Sequence, residues 1–142
     1  MHIRPFTETD EAQVVALWQQ CGLVRPWNDP HKDIARKLRV QRELFLVAEK
    51  DGAVAGTIMA GYEGHRGWVN YLAVAAAWQR QGLGAQLMGK VEELLLAAGC
   101  PKISLLVRSS NTQVIAFYRA LGYLQDEAVP LGKRLIADGP AA

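Results

Sequence analysis

The stretch from Gln79 to Ala85 carries residue types that can bind a phosphate group. Between a predicted strand and a predicted long helix, the chain carries Gln79, Arg80, Gln81, Gly82, Leu83, Gly84 and Ala85. Backbone N–H groups at the start of a helix lack partners within the helix, and the helix dipole adds about half a positive charge there. Glycines let an oxyanion approach the backbone, and Arg80 can add charge at the rim. The stretch therefore predicts a pyrophosphate site, although a turn that binds nothing could contain the same glycines.

Two other phosphate-binding motifs do not fit this stretch. A Walker A loop needs Lys and then Ser or Thr after its second glycine, whereas Ala85 and Gln86 follow Gly84. A dinucleotide-binding fingerprint needs a small residue three positions after its second glycine and an acid about 20 residues further on. Leu87 occupies the first of these places, and no acid lies near the second.

Asn111 and Tyr118 form a second candidate pair. They are seven residues apart, which is about two helical turns, so they lie nearly on one face of a predicted helix. Asn111 alone is typical of a helix N-cap, and Tyr118 alone is typical of a core aromatic residue. Their helix follows a strand predicted to lie parallel to the strand before Gln79. Together they favour a site in which the phenol of Tyr118 acts as a general acid.

The elements that must position these residues follow from hydrophobic periodicity and turn signals. The chain is predicted to form, in order, strand 2–6, a helix ending at Gly22, a short helix starting at Asp29-Pro30, strands 44–48, 54–62 and 68–74, helix 83–98, strand 103–107, a helix from Asn111 to Leu121, and strands 123–128 and 131–136. Strands 44–48, 54–62 and 68–74 form an antiparallel meander. The long helix then makes a crossover, so strand 103–107 is expected to run parallel to strand 68–74. The fold class is therefore mixed α+β.

Composition limits the possible classes of protein. The chain has 142 residues, half of them apolar, and a net charge of +2, which fits one globular domain and excludes a disordered chain. Such a small charge argues against a nucleic-acid-binding protein. Cys21 and Cys100 form no Cys-x-x-Cys motif, and no apolar run reaches the length of a membrane span. We expect a cytoplasmic protein with one domain over residues 1–137, a loose tail over 138–142, no bound metal and no membrane partner.

These candidate residues resemble two motifs of the GNAT acetyltransferases. Leu72, Ala73 and Val74, followed by the run from Trp78 to Met88, resemble motif A of the family. The motif A pattern Gln/Arg-x-x-Gly-x-Gly/Ala is met by Gln79, Gly82 and Gly84. Asn111, followed by residues 116–118 and 121–123, resembles motif B. The order of elements fits the family across nearly the whole chain, and residues 25–30, 64–67, 99–103 and 131–136 resemble its YpeA-type branch.

The resemblance implies a fold, a co-substrate and a set of contacts. The fold would be a mixed, mostly antiparallel sheet of six to seven strands, splayed between strands 4 and 5 and flanked by four helices. Acetyl-CoA would be the co-substrate, with its pantetheine arm along the backbone of Leu72, Ala73 and Val74 and beside Asn111. Amides from Gln81 to Ala85 would hold the pyrophosphate. Tyr118 would protonate the departing CoA thiolate.

One departure from the family affects the general base. The enzymes that acetylate the N-termini of ribosomal proteins commonly carry a Glu where Leu106 stands here. The absence of this Glu argues against acetylation of ribosomal-protein N-termini as the activity of this chain. The remaining candidates are Glu63, His65, Tyr62 or a water molecule. Glu63 is our first choice, although it and His65 could equally form a solvated turn.

The resemblance also implies where the acceptor binds. In this family the connection between the first two helices typically forms one wall of the acceptor site. The candidate acceptor-binding residues are Arg25, Trp27, Asn28, Asp29 and Tyr62. In the alternative interpretation, Trp27 belongs to the core and Asp29 caps a helix.

The resemblance therefore implies an acetyl-CoA-dependent N-acetyltransferase, and we expect its acceptor to be a primary amine on a small molecule. The alternatives are a protein or peptide N-acetyltransferase, a CoA-binding module without catalysis, and an interaction domain without a ligand. The predicted strands near the C-terminus would also allow a homodimer.

Overall fold

A computed structural model describes residues 1–140 of the chain. Its strands and helices, in chain order, are β1 (His2–Pro5), α1 (Glu11–Gln20), α2 (Pro30–Lys37), β2 (Phe45–Lys50), β3 (Ala53–Tyr62), β4 (Gly67–Val74), α3 (Leu83–Ala97), β5 (Ile103–Leu105) and α4 (Thr112–Ala120). The predicted mixed α+β class is confirmed. No helix among the described residues is both long enough and apolar enough to cross a membrane.

The sheet has the strand order β1-β2-β3-β4-β5. Its first four strands are antiparallel neighbours, whereas β5 runs parallel to β4, as the crossover through α3 requires. The parallel pairing joins Gly67, Val69 and the residue between them to Ile103–Leu105. Beyond Val69 the two strands part, which confirms the predicted splay between the fourth and fifth strands.

The number of strands differs from the prediction. The sheet has five strands in place of six to seven, because residues 123–128 and 131–136 form no strand. The exposed fractions of Leu124, Leu131 and Leu135 are 85%, 93% and 88%. Their apolar pattern suits a strand, but β5 offers an edge of only three residues for another strand to pair with. The homodimer that such strands would allow is not tested by this structure.

The end of the described chain is anchored to α2. The Asp138 carboxylate accepts two hydrogen bonds from the Arg36 guanidinium, at 2.9 and 2.7 Å, and has no exposed surface. Gly139 lies against the backbone oxygen of Pro26, so closely that no side chain would fit. These two residues therefore differ from the loose tail predicted from residue 138. The last two residues of that prediction lie outside the described part of the chain.

The core lies on both faces of the sheet, and β2 shows why its sequence is apolar throughout. Alternate β2 residues point to opposite faces. Leu46 and Ala48 join the cluster under α3, whereas Phe45 and Val47 join the cluster under α1 and α2. A strand buried on both faces needs apolar residues at every position, which accounts for the continuous run seen in the sequence. Helices α3 and α2 therefore lie on opposite faces of the sheet.

Candidate active site

The loop before α3 presents a row of backbone donors. Gly82 is the N-cap residue of α3 with a φ of 84°, and Arg80 has a φ of 62°. Residues in this left-handed conformation can turn successive N–H groups toward one point and form an anion-binding nest. Within the described residues, none of the six N–H groups from Arg80 to Ala85 donates to another protein group. A Cβ atom on Gly82 would meet nothing within 4 Å, so the side of the loop to which it would point is open.

Two glutamine side chains hold this loop in place. Gln79 Nε2 donates to the Val74 carbonyl at 3.0 Å, and Gln81 Nε2 donates to the Ala77 carbonyl at 2.9 Å. Both bonds tie the loop to the segment that leaves β4. The backbone amides of the loop, and not its glutamine side chains, are therefore available to an anion.

The open edge of β4 also presents backbone groups. The Ala75 N–H donates to the Ala55 carbonyl at 2.8 Å, which fixes the direction of every second peptide group. By this alternation Leu72 and Val74 point their N–H and C=O groups away from β3, toward the gap left by β5. Ala73 points its backbone groups toward Thr57 of β3. Of the three predicted residues, two thus face the gap.

Helix α4 carries the predicted asparagine and tyrosine. Asn111 is the N-cap of α4, and its Oδ1 accepts a hydrogen bond from the Val114 N–H at 3.3 Å. Tyr118 is 8% exposed, and its ring meets Phe117 and Tyr123 edge-on, with centroid distances of 5.0 and 5.6 Å. The Asn111 side-chain oxygen therefore acts as a helix cap, and the Tyr118 ring is packed as a core aromatic residue.

The hydroxyl of Tyr118 distinguishes it from an ordinary core tyrosine. It makes no hydrogen bond to any described residue, yet it is not among the fully buried polar atoms, so its oxygen reaches solvent. Burial of the ring raises the pKa of Tyr118 to about 12. The phenol is therefore protonated at neutral pH and can donate its proton to a ligand.

A cleft of about 840 Å³ lies beside the gap between β4 and β5. The polar and aromatic residues that line it are Arg25, Trp27 and Asn28 before α2, Asp33, Arg36 and Lys37 of α2, Asn70 and Tyr71 of β4, and Arg108 after β5. Three of the five predicted acceptor residues are therefore among its lining residues. Asp29 instead caps α2, accepting hydrogen bonds from the N–H groups of His31 and Lys32 at 2.9 and 3.2 Å.

Comparison with known proteins identifies the family. The model of the acetyltransferase (GNAT) family matches residues 7–123. The chain belongs to this family. The chain is 50% identical over 139 residues to the acetyltransferase SG1711 of Sodalis glossinidius, with 97% of this chain and 98% of that protein covered. It is 47% identical over 138 residues to the acetyltransferase YE1169 of Yersinia enterocolitica, with the same shares covered. As a GNAT protein, the chain is an acyltransferase.

A solved structure agrees with the fold. The aminoglycoside N-acetyltransferase AAC(6')-Iy, solved with CoA, superposes with a TM-score of 0.75 at 19% identity. The match covers 95% of each chain. At this identity the likeness concerns the fold alone.

The structure of this GNAT acetyltransferase does not bring Glu63 to the cleft. Glu63 Oε1 accepts hydrogen bonds from the N–H groups of His65, at 2.7 Å, and Arg66, and Oε2 accepts one from Trp68 Nε1 at 3.0 Å. The Arg66 N–H, the His65 N–H and the Trp68 indole together lower the pKa of the carboxyl. This turn precedes Gly67, and β4 reaches the gap only from Asn70 on, about 10 Å further along the strand.

Tyr62 also lies elsewhere. Its hydroxyl lies 3.2 and 3.3 Å from the carbonyl oxygens of Gly64 and Gly99, so its one proton is shared between them or donated to one of them. Its ring lines a second cavity of about 450 Å³, together with Arg4 and Lys90. Tyr62, which was predicted to bind the acceptor, therefore lies away from the cleft.

Two lining residues that sequence analysis missed form a bonded pair. The Tyr71 hydroxyl donates to Asp33 Oδ2 at 2.6 Å, and the Tyr71 ring stacks on Trp18 at a centroid distance of 3.7 Å. Burial, assisted by the Asp33 carboxylate, raises the pKa of Tyr71. Tyr71 has a φ of 52°, at a β-bulge where the register with β3 shifts. No local sequence pattern indicates this bulge, so the Asp33–Tyr71 pair could not be predicted from the spacing of residues in the sequence.

Proposed function

We propose that this GNAT enzyme transfers the acetyl group of acetyl-CoA to a primary amine of a small molecule. The observation that carries the proposal is the row of unpartnered N–H groups from Arg80 to Ala85 at the start of α3. A row of free N–H donors and the positive end of a helix dipole suit a pyrophosphate. The residues present therefore fit CoA, which the related fold of AAC(6')-Iy binds.

The gap between β4 and β5 suits the arm of the same ligand. Leu72 and Val74 offer backbone groups along one side of the gap, and the Asn111 side-chain nitrogen offers a further donor at the start of α4. The Val74 carbonyl already accepts the Gln79 side chain, so a ligand that uses this oxygen must share or displace that bond. Arg80, exposed at the rim of the loop, adds positive charge.

Acetyl-CoA supplies a thioester, and an acceptor amine attacks its carbonyl carbon while the CoA thiolate leaves. Tyr118 is the proposed acid: its protonated hydroxyl donates a proton to the sulfur. Its position supports this role, because the first turn of α3 packs on the ring of the adjacent residue, Phe117. Tyr118 thus lies close to the end of α3 that would hold the cofactor.

The attacking amine must be neutral and must lose one proton after attack. Glu63 and His65, held in the turn before β4, are poorly placed to accept it. We assign this proton to a water molecule in the cleft, the remaining candidate from the sequence. An amine with a suitable pKa needs only modest assistance of this kind.

The cleft supports a small acceptor. A volume of about 840 Å³ lies within the range of about 300–1,000 Å³ that is usual for small-molecule sites. Trp27 adds flat apolar surface to it, and Asn28 adds hydrogen-bonding groups.

The test is an acceptor screen with purified protein and acetyl-CoA. Primary amines and short peptides are supplied in separate reactions. Release of the CoA thiol is measured with a thiol-reactive chromogenic reagent, and the masses of the products are measured by mass spectrometry. We expect thiol release coupled to a mass gain of one acetyl group on a small amine. Acetylation of peptides alone would overturn the small-molecule part of the proposal. Thiol release without an acetylated amine would overturn amine transfer itself.

A further inference from the structure

The acceptor cleft carries an unequal set of charges. Its lining includes four cationic side chains, Arg25, Arg36, Lys37 and Arg108, against one carboxylate, Asp33. The chain as a whole has a net charge of only +2, so this concentration is local.

Two of the four cations already have partners. Arg36 holds Asp138 through two hydrogen bonds, at 2.9 and 2.7 Å. Lys37 donates to the Ala60 carbonyl, and burial lowers the pKa of its amine. Both side chains therefore already bind groups of the protein.

The single carboxylate does not neutralise the rest. Asp33 Oδ2 accepts the Tyr71 hydroxyl at 2.6 Å, and Oδ1 accepts Arg36 at 3.4 Å. Its oxygens are therefore bonded to residues other than Arg25 and Arg108.

The other two cationic residues of the lining are Arg25 and Arg108. Across residues 1–140 neither guanidinium forms an ion pair or donates a side-chain hydrogen bond, and both line the same cleft. Arg25 comes from the connection between α1 and α2, and Arg108 comes from the segment after β5. Two guanidinium groups from separate elements are suited to bind a carboxylate or a phosphate, which each can hold with two parallel hydrogen bonds.

We infer that the acceptor amine also carries an anionic group, a carboxylate or a phosphate, which Arg25 and Arg108 bind. This inference rests on the proposed amine acetyltransfer. It separates this cleft from one built for a polycation, because uncompensated guanidinium groups repel a second positive charge. An aminoglycoside, which carries several amines, is therefore a poor acceptor here.

The experiment compares matched primary amines with the purified enzyme. β-Alanine and β-alaninamide differ in one carboxylate, and phosphoethanolamine and ethanolamine differ in one phosphate. We expect the charged member of at least one pair to have the higher kcat/KM, by about tenfold or more. The pair with the larger ratio identifies the anion. Putrescine serves as the dicationic acceptor and is expected to be the poorest.

Three variants locate the anion site. Arg25→Gln and Arg108→Gln should each raise the KM of the charged amine by about tenfold and bring the charged-to-neutral ratio toward one. Neither should change the Kd of CoA, which binds at the other site. Arg39→Gln removes an exposed arginine just after α2 that does not line the cleft, and it should leave the ratio intact.

The results separate this inference from the proposed function. Equal kcat/KM values within both pairs, or a preference for putrescine, would overturn the anion site while acetyltransfer stands. Thiol release with none of the amines would count against the proposed function. Calorimetric titration of phosphoethanolamine and β-alanine into the CoA-loaded protein then decides the anion site. Binding that is lost in both cleft variants and kept in Arg39→Gln supports the site, and no binding overturns it.

Discussion

A Cβ atom at Gly84 would lie 3.2 Å from Cζ of Phe117, because the first turn of α3 packs directly on that ring. This contact joins the proposed pyrophosphate loop to the helix that carries Tyr118. The two motifs seen in the sequence therefore lie side by side in the fold, and glycine at position 84 allows this close packing.

Replacing Gly84 should disturb both of these motifs. Gly84→Val adds a Cβ atom and two methyl groups next to Phe117, and overpacking of this kind costs about 1–3 kcal/mol. We expect a lower Tm and weaker CoA binding, measured by thermal melts with and without CoA. Gly89→Val is the matched control in the same helix, because a Cβ atom there would meet nothing within 4 Å. Equal effects of the two substitutions would show that packing at Gly84 is unimportant.

Tyr118→Phe should reduce turnover without weakening CoA binding. Loss of a general acid typically costs about 10²–10⁴ in rate. The control is Tyr123→Phe, which removes a hydroxyl that donates to Glu92 Oε2 at 2.7 Å. That variant should melt at a lower temperature but retain its kcat. A Tyr118→Phe enzyme with wild-type kcat would assign Tyr118 to the core alone.

The pH dependence follows from the same residue. Because the pKa of Tyr118 is about 12, the acid stays protonated over the whole range in which the protein can be assayed. If the kcat of the wild type falls between pH 7 and 10, the kcat–pH profile of Tyr118→Phe should therefore fall over the same pH range. A wild-type alkaline loss that disappears in the variant would contradict this assignment.

Glu63→Gln should leave kcat close to that of the wild type at every pH. The carboxylate holds the His65 and Arg66 amides and the Trp68 indole in the turn before β4, so its removal should instead lower Tm. The measurement is a pair of kcat–pH profiles with thermal melts. A large fall in kcat, greatest at low pH where fewer amines are neutral, would restore Glu63 as the base.

The conformations of the loop before α3 and of the start of α4 could be predicted from the sequence, whereas the residues that line the cleft could be predicted only in part. Gly82 and Asn111 act through local conformation, a left-handed N-cap and a side-chain cap, and such features can be inferred from residue type and spacing. Asp33, Tyr71 and Arg108 line the same cleft only because α2, the bulge of β4 and the segment after β5 come together in the fold. A cleft that depends on the relative placement of three elements leaves no local pattern in the sequence.

In the C-terminal segment, the sequence predicts strands that the structure does not contain. Leu131 and Leu135 have a spacing that suits a strand, but a strand also needs an edge with which to pair. What fixes the end of the described chain is instead an ion pair. Asp138 is 102 residues from its partner Arg36, so no local signal indicates it.

The Arg36–Asp138 pair should make stability depend on pH. Hydrogen bonding to Arg36 lowers the pKa of Asp138 from 3.8 to about 2. A lowered carboxyl pKa stabilises the fold fully above the unfolded value, and this contribution is lost as the pH falls through the folded value. Asp138→Asn should therefore lower Tm at pH 7, and the difference from the wild type should shrink as the pH falls from 4 to 2.

The control for this pair is Asp126→Asn, which removes an exposed ion pair with Lys102 at 2.9 Å. Exposed pairs contribute little, so Tm should hardly change. A Tm difference for Asp138→Asn that stays constant down to pH 2 would contradict the ion-pair account.

The most direct measurement of the central claim is CoA binding by wild type, Gly82→Leu and Gly52→Leu, titrated calorimetrically and checked by thermal melts. Gly82 and Gly52 have φ values of 84° and 80° with nothing within 4 Å of a Cβ atom, so both variants carry the same backbone strain. At a concentration of 100 times its Kd, CoA should stabilise the wild type by about 2.7 kcal/mol. The account predicts that Gly52→Leu keeps the Kd and the stabilisation, whereas Gly82→Leu loses both. A wild type that does not bind CoA, or a Gly82→Leu variant that binds it as tightly as Gly52→Leu does, would contradict the assignment of the Arg80–Ala85 amides as the pyrophosphate site.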